Sequence, residues 1–188
     1  TDAQLSELRD RVRASMPRVR AELADLVAFR SIADPEQAPP SECRSAAEWV
    51  RDAFRDAGVK DTELHETSDG SAAVIGRRRA ADGAPTVLLY SHYDVQPAGD
   101  ESLWNSAPFE LTDRDGRWFG RGSADCKGNV LMHLAALRAL GSDSEVGIVV
   151  VCEGSEETGT GGLEDLVRDR PELFAADVIV IGDTGNIA

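Results

Sequence analysis

Three short apolar runs constrain this chain more than any other feature: Thr86-Val-Leu-Leu-Tyr90, residues 146–151 and residues 178–181. Each is rich in β-branched residues and lacks polar alternation, the pattern of a strand covered on both faces. Between the first two lie a hairpin, with Asp115-Gly116 at its turn, and a helix over about 127–140. A shorter helix near 163–168 separates the last two. Strands alternating with helices predict an α/β fold: a three-layer, open, mostly parallel sheet with helices on both faces. Upstream, Leu5, Leu8, Val12, Met16, Val19, Leu23 and Leu26 recur at steps of three and four, one face of an amphipathic helix that Pro17 should kink or divide. Residues 33–40 carry three prolines and read as a loop. Cys43, Ala46, Val50, Phe54 and Ala57 predict a second helix, with Gly58 placed to stop it, and Leu64 and residues 72–76 suggest two short strands.

Each of the three runs leads straight into groups that carry chemistry. The first is followed by Ser91-His92-Tyr93-Asp94, the second by Glu153 and then Glu156-Glu157, the third by Gly182-Asp183. Ligands of open α/β sheets bind outside the carboxyl ends of the strands. One imidazole and several carboxylates should therefore meet at one edge, with Asp125, just before the long helix, joining them. Carboxylates in one crevice repel unless cations neutralise them. One imidazole among carboxylates suits Zn²⁺, with Mn²⁺ or Co²⁺ as alternatives, and the number of acids fits two metals bridged by a carboxylate. Each residue alone also fits a solvated loop or a helix cap. The set together fits that reading poorly.

The wording of these segments resembles a known family. His92-Tyr-Asp94-Val-Gln-Pro-Ala98 resembles the HxD segment of the co-catalytic zinc hydrolases that include carnosinase-type dipeptidases, aminoacylase, glutamate carboxypeptidase, acetylornithine deacetylase and succinyl-diaminopimelate desuccinylase. Trp104, Pro108-Phe109 and Gly120-Arg-Gly-Ser-Ala-Asp125-Cys-Lys127-Gly128 resemble the segment with the bridging aspartate. Glu153-Gly-Ser-Glu156-Glu157-Thr-Gly159 resembles the paired-glutamate segment, and Asp183 the last aspartate ligand of this half. The HYDVQPA wording is closer to the dipeptidase branch than to the deacylases.

The resemblance implies a zinc-exopeptidase-like catalytic domain that hydrolyses an amide bond in dipeptides or short peptides. The alternatives are deacylation of N-acyl amino acids or, in this form, a non-catalytic metal-binding fragment. His92 and Asp183 would bind one zinc and Glu157 the other, with Asp125 bridging. Glu156 would be the general acid/base, and Asp94 would contact the other ring nitrogen of His92 and fix its tautomer. A cis peptide between Asp125 and Cys126 is implied as well. Residues 1–188 correspond to the N-terminal portion of the family's catalytic domain. A lid or dimerisation domain, through which a full-length parent would form a homodimer, is missing, as is a second zinc histidine. The fragment is expected to be inactive, with the first metal holding His92, Asp125 and Asp183 and the second only Asp125 and Glu157.

The remaining signals exclude rather than identify. A net charge of −14 argues against nucleic acid, whose phosphates need Lys and Arg. No 18-residue apolar window or signal core is present, so no membrane partner is expected. Three cysteines without CxxC spacing suggest a reducing, cytoplasmic setting. His65 reads as a surface residue, His133 as packed or solvated on its helix, and Cys126 as packed beneath the site. The segment Gly159-Thr-Gly161-Gly162 lacks the Gly-Lys-Ser/Thr of a nucleotide loop, and the resemblance implies that its glycines let the backbone approach substrate or metal.

Overall fold

The computed structural model describes residues 1–142 and 144–183. Along the chain run α1 (Asp2–Ala28), α2 (Pro40–Asp56), β1 (Asp61–Glu66), β2 (Ala72–Arg78), β3 (Thr86–His92), β4 (Thr112–Arg114), β5 (Arg117–Phe119), α3 (Lys127–Leu140), β6 (Gly147–Glu153), α4 (Gly161–Asp169) and β7 (Val178–Ile181). The predicted turn joins β4 to β5, with Asp115 and Gly116 at φ 55° and 75°, the positive values a tight hairpin requires. Gly58, at φ 98°, follows the end of α2 as the sequence predicts.

The five-stranded sheet has the order β1-β2-β6-β3-β7. β3 pairs in parallel with β6 on one side and β7 on the other. The β1–β2 hairpin adds an antiparallel flank, β2 running antiparallel to β6. Alternate residues of the strands serve opposite faces. Ile148, Val150 and Cys152 join the core built with Leu23, Leu26 and Val27 of α1, Val50 and Phe54 of α2, and Leu131 and Leu134 of α3. Val149, Val151 and Leu88 face the other way, against Leu163 of α4, Phe174 and Ala176. Helices thus cover both faces.

Two expectations change. Pro17 does not divide α1, which runs from a Thr1–Gln4 capping box to Ala28 in one piece. Pro17 and Arg13 are both exposed, so the carbonyl that loses its intrahelical partner can turn to water. The third apolar run forms its strand but is not covered: Val178, Ile179, Val180 and Ile181 are 50%, 62%, 41% and 65% exposed. β7 is an edge strand whose only sheet neighbour among the described residues is β3.

Candidate active site

The parallel register assembles the site. His92, the last residue of β3, stands opposite Glu153, the last residue of β6. Past the strand ends the alignment continues: the Tyr93 N–H donates to the Glu153 carbonyl at 2.9 Å and the Gly182 N–H to the Tyr90 carbonyl at 2.9 Å. Residues up to 91 positions apart in sequence are so brought to one edge. Asp125 arrives from the turn before α3, through a cis peptide to Cys126.

His92 is fully buried and the acids line the open side. Its Nε2 lies 3.0 Å from Asp125 Oδ1, 3.0 Å from Asp183 Oδ1 and 3.7 Å from Glu156 Oε2. One ring nitrogen carries at most one proton, so it cannot donate well to two carboxylates at once. His92, Cys126 and Asp183 form one group whose ligand atoms all lie within 4.8 Å of one another, a set that suits a shared cation better. Glu157 joins His92 and Asp125 in a group whose ligand atoms all lie within 4.8 Å of one another. The other ring nitrogen, Nδ1, lies 3.1 Å from the Asp94 carbonyl and 3.3 Å from Asp94 Oδ1. A proton there leaves the Nε2 lone pair for a ligand bond.

Asp94 does more than the sequence suggested. Its buried carboxylate also accepts the backbone N–H groups of Glu156, at 3.2 Å, and Glu157, at 3.0 Å. One side chain thereby fixes both the imidazole and the turn that carries the glutamate pair. Gln96 Nε2 donates to Glu157 Oε2 at 2.8 Å.

The electrostatics call for positive charge. Among the described residues no lysine or arginine ion-pairs with Asp125, Glu156, Glu157 or Asp183; His92 is the partner of three of them. Lys127 is fully buried and donates instead to the Phe29 carbonyl at 2.7 Å. Burial works against charge on His92, yet Asp94 first and then Cys126 push its pKa up to about 12. Burial first, then Asp183, Glu157 and Asp94, raise the Glu156 pKa above its usual value, against the pull of His92.

Sequence reasoning placed the four metal-ligand candidates, Glu156 and Asp94, and the structure brings all six together. Cys126 packs beneath them, its thiol on the Gly182 carbonyl at 2.9 Å. His133 is buried, its Nε2 3.0 Å from the Tyr90 carbonyl, and His65 is half-buried on β1. The pair Tyr90–Glu153 had no assigned role. The Tyr90 hydroxyl donates to Glu153 Oε1 at 2.5 Å, while Oε2 is buried without a partner among the described residues, and burial pushes the Glu153 pKa up to about 7. A glutamate closing a wholly apolar strand was the available signal.

Residues 88–188 match the sequence profile of "Peptidase family M20/M25/M40". A cysteinylglycine-S-conjugate dipeptidase of Corynebacterium striatum is 48% identical over 175 residues, covering 91% of this chain and 38% of that protein. A mouse beta-Ala-His dipeptidase is 45% identical over 104 residues, 53% of this chain and 21% of its own length. The crystal structure of human carnosine dipeptidase 1 superposes with a TM-score of 0.83 at 28% identity, covering 97% of this chain and 42% of that one. The chain therefore spans well under half the length of these relatives.

Proposed function

Since this chain belongs to peptidase family M20/M25/M40, we propose that it is the N-terminal part of the catalytic domain of a metal-dependent dipeptidase. The observation that carries this reading is the approach of Asp125 and Asp183 to His92 Nε2 at 3.0 Å, with Glu156 3.7 Å away and, among the described residues, ion-paired with no group but His92.

His92 and Asp183 would hold one divalent cation and Glu157 the other, with Asp125 between them. Zinc suits this donor set, and manganese and cobalt fit the same chemistry. Such a pair, when bound, lowers the pKa of an intervening water toward neutrality and polarises the amide carbonyl. The chain's own part is to move the proton. Glu156, held by its backbone N–H on Asp94, takes a proton from the attacking water. It returns that proton to the departing amine, which leaves poorly as an anion. Asp94 keeps Glu156 in place and His92 in the correct tautomer.

In this reading, further chain of the kind the longer matched dipeptidases have would supply the second site's histidine, the cover over the substrate and a homodimer contact. Substrate choice is tested on the full-length parent with a panel of dipeptides and of N-acetyl and N-succinyl amino acids. Dipeptide turnover is expected. Turnover confined to the acylated compounds moves the protein to the deacylase branch. Glu156→Gln should lower kcat by about 10²- to 10⁴-fold, the usual worth of a general acid/base. Unchanged hydrolysis in that variant removes Glu156 from the reaction.

A further inference from the structure

The segment 155–162 carries both glutamates, and all of it except Ser155 and Gly162 is partly or fully exposed. Behind it lies a cavity of about 230 Å³, lined by Ser155 and Thr158 of this segment, by Asp69 and Ser71 of the β1–β2 turn, and by Ile32 and Ala38. A loop beside an open cleft relies on polar contacts for its position. Asp94 supplies these contacts on the site side.

On the far side they come from Asp69. The antiparallel pairing of β2 with β6 aligns Val74 with Cys152, so the β1–β2 turn abuts the end of β6. From there Asp69 Oδ2 accepts the Ser155 hydroxyl at 2.7 Å and the Gly162 N–H at 3.2 Å, the two ends of the segment. Its Oδ1 accepts the Thr67 hydroxyl at 2.6 Å and the Ser71 N–H at 3.0 Å, which fixes the carboxylate within its own turn. Burial works against its charge, and the four hydrogen bonds together outweigh this and keep its pKa below the usual value. Gly162 is fitted to this contact, since a Cβ there would lie 2.5 Å from the carboxylate atoms.

We infer that Asp69 is a positioning residue for the glutamate pair: it ties both ends of segment 155–162 to the β1–β2 turn and so sets where Glu156 and Glu157 stand. The inference rests on the hydrolase reading for its consequence in turnover, and on geometry alone for the clamp. All four bonds are accepted, so the role needs a carboxylate. An amide would turn a donor toward one of the two pairs of donors.

The test compares the full-length, metal-loaded protein with Asp69→Ala and Asp69→Asn, by steady-state kinetics and by hydrogen exchange of the backbone N–H groups at 156–158. Asp69→Ala should lower kcat by about tenfold or more with KM within about twofold, since small misplacements of catalytic groups are costly. Exchange at 156–158 should quicken by about tenfold or more while that of 149–151 stays unchanged. Ser155→Ala should reproduce part of the loss and add little to Asp69→Ala, because the two share one contact. If Asp69→Ala does not fold, Asp69→Asn carries the same readouts. Unchanged exchange at 156–158 overturns the clamp. Faster exchange with unaltered kcat overturns the positioning role. A wild type without turnover sinks the hydrolase reading instead, and the exchange data still decide the clamp.

Discussion

β6 and β7 flank the same strand, run in the same direction and deliver acids to the same site, yet they are held very differently. β6 is buried at all seven positions, has a neighbour on each edge and is covered on both faces. The segment after it is then tied down from two sides, by Asp94 and by Asp69. β7 has four residues, one neighbour among the described residues and exposed side chains throughout. Past its end, Gly182 is held by its N–H on the Tyr90 carbonyl and by the Cys126 thiol on its own carbonyl. The glutamate half of the site is therefore built into the core of the described structure. The Asp183 half hangs from an edge.

The largest expected effect follows directly. Val150 is 1% exposed in the main core, and Val150→Asp buries an unpaired charge there. Removing the partner of a buried charge costs about 3–5 kcal/mol, and a lone new charge is at least as unfavourable, comparable to the whole stability of a marginal domain. The variant should be largely unfolded. Ile179→Asp, on the 62%-exposed strand, should cost about 1 kcal/mol or less, through lost strand propensity. Urea denaturation followed by circular dichroism measures both. Comparable losses in the two variants would mean that β7 is covered in solution, and the contrast between the strands would fall.

Asp94→Ala probes the anchored half more gently. It leaves His92 Nδ1 without its carboxylate contact and two partly buried backbone N–H groups without that acceptor. Loss of such an outer partner typically costs about 10–100-fold in metal affinity or activity. Zinc titration by calorimetry should show that loss, with Asp94→Asn intermediate because its amide keeps one acceptor oxygen. Wild-type affinity in Asp94→Ala would show that the imidazole and the glutamate turn hold their places without it.

Much of this architecture is legible in the amino-acid sequence. Short apolar runs closing on His92, on the Glu153-to-Glu157 segment and on Asp183 predict parallel strands with a shared catalytic edge, because strand direction and side-chain period are local properties. Asp115-Gly116 marks its turn for the same reason. What stays hidden depends on partners distant in sequence. The role of Asp69 exists only because β2 lies against β6, and an aspartate in a Ser-Asp-Gly-Ser turn reads as ordinary turn chemistry. The link from Tyr90 to Glu153 likewise needs the register of β3 on β6. The apolar pattern of 178–181 says that those residues favour cover, not whether the described residues supply it. Pro17 stays inside α1 with both it and Arg13, whose carbonyl it leaves unbonded, facing water, a property of the packing rather than of proline.

The smallest effect sharpens the weaker half. The Tyr90 carbonyl accepts the Gly182 N–H at 2.9 Å and faces His133 Nε2 at 3.0 Å, so the buried imidazole braces the end of β7 from the side of α3. A Cβ on Gly182 would lie 2.6 Å from that Nε2, which shows how closely the two meet. Burial lowers the His133 pKa, and the bond to the Tyr90 carbonyl only partly offsets this. The unfolded chain then takes up a proton near pH 6.5 that the folded chain refuses. Stability from His133 is thus fully present above about pH 6.5 and is lost as pH falls through the lower, folded pKa, with a slope of at most about 1.4 kcal/mol per pH unit. His133→Gln keeps a donor for the Tyr90 carbonyl but cannot titrate. Between pH 7 and pH 5 the metal-free wild type should therefore lose more stability than the variant, by a fraction of that slope. Comparing urea midpoints at the two pH values isolates the difference, since every other group titrates in both proteins. Equal losses would mean that His133 protonates freely in the folded state, and that the brace under β7 is open to water.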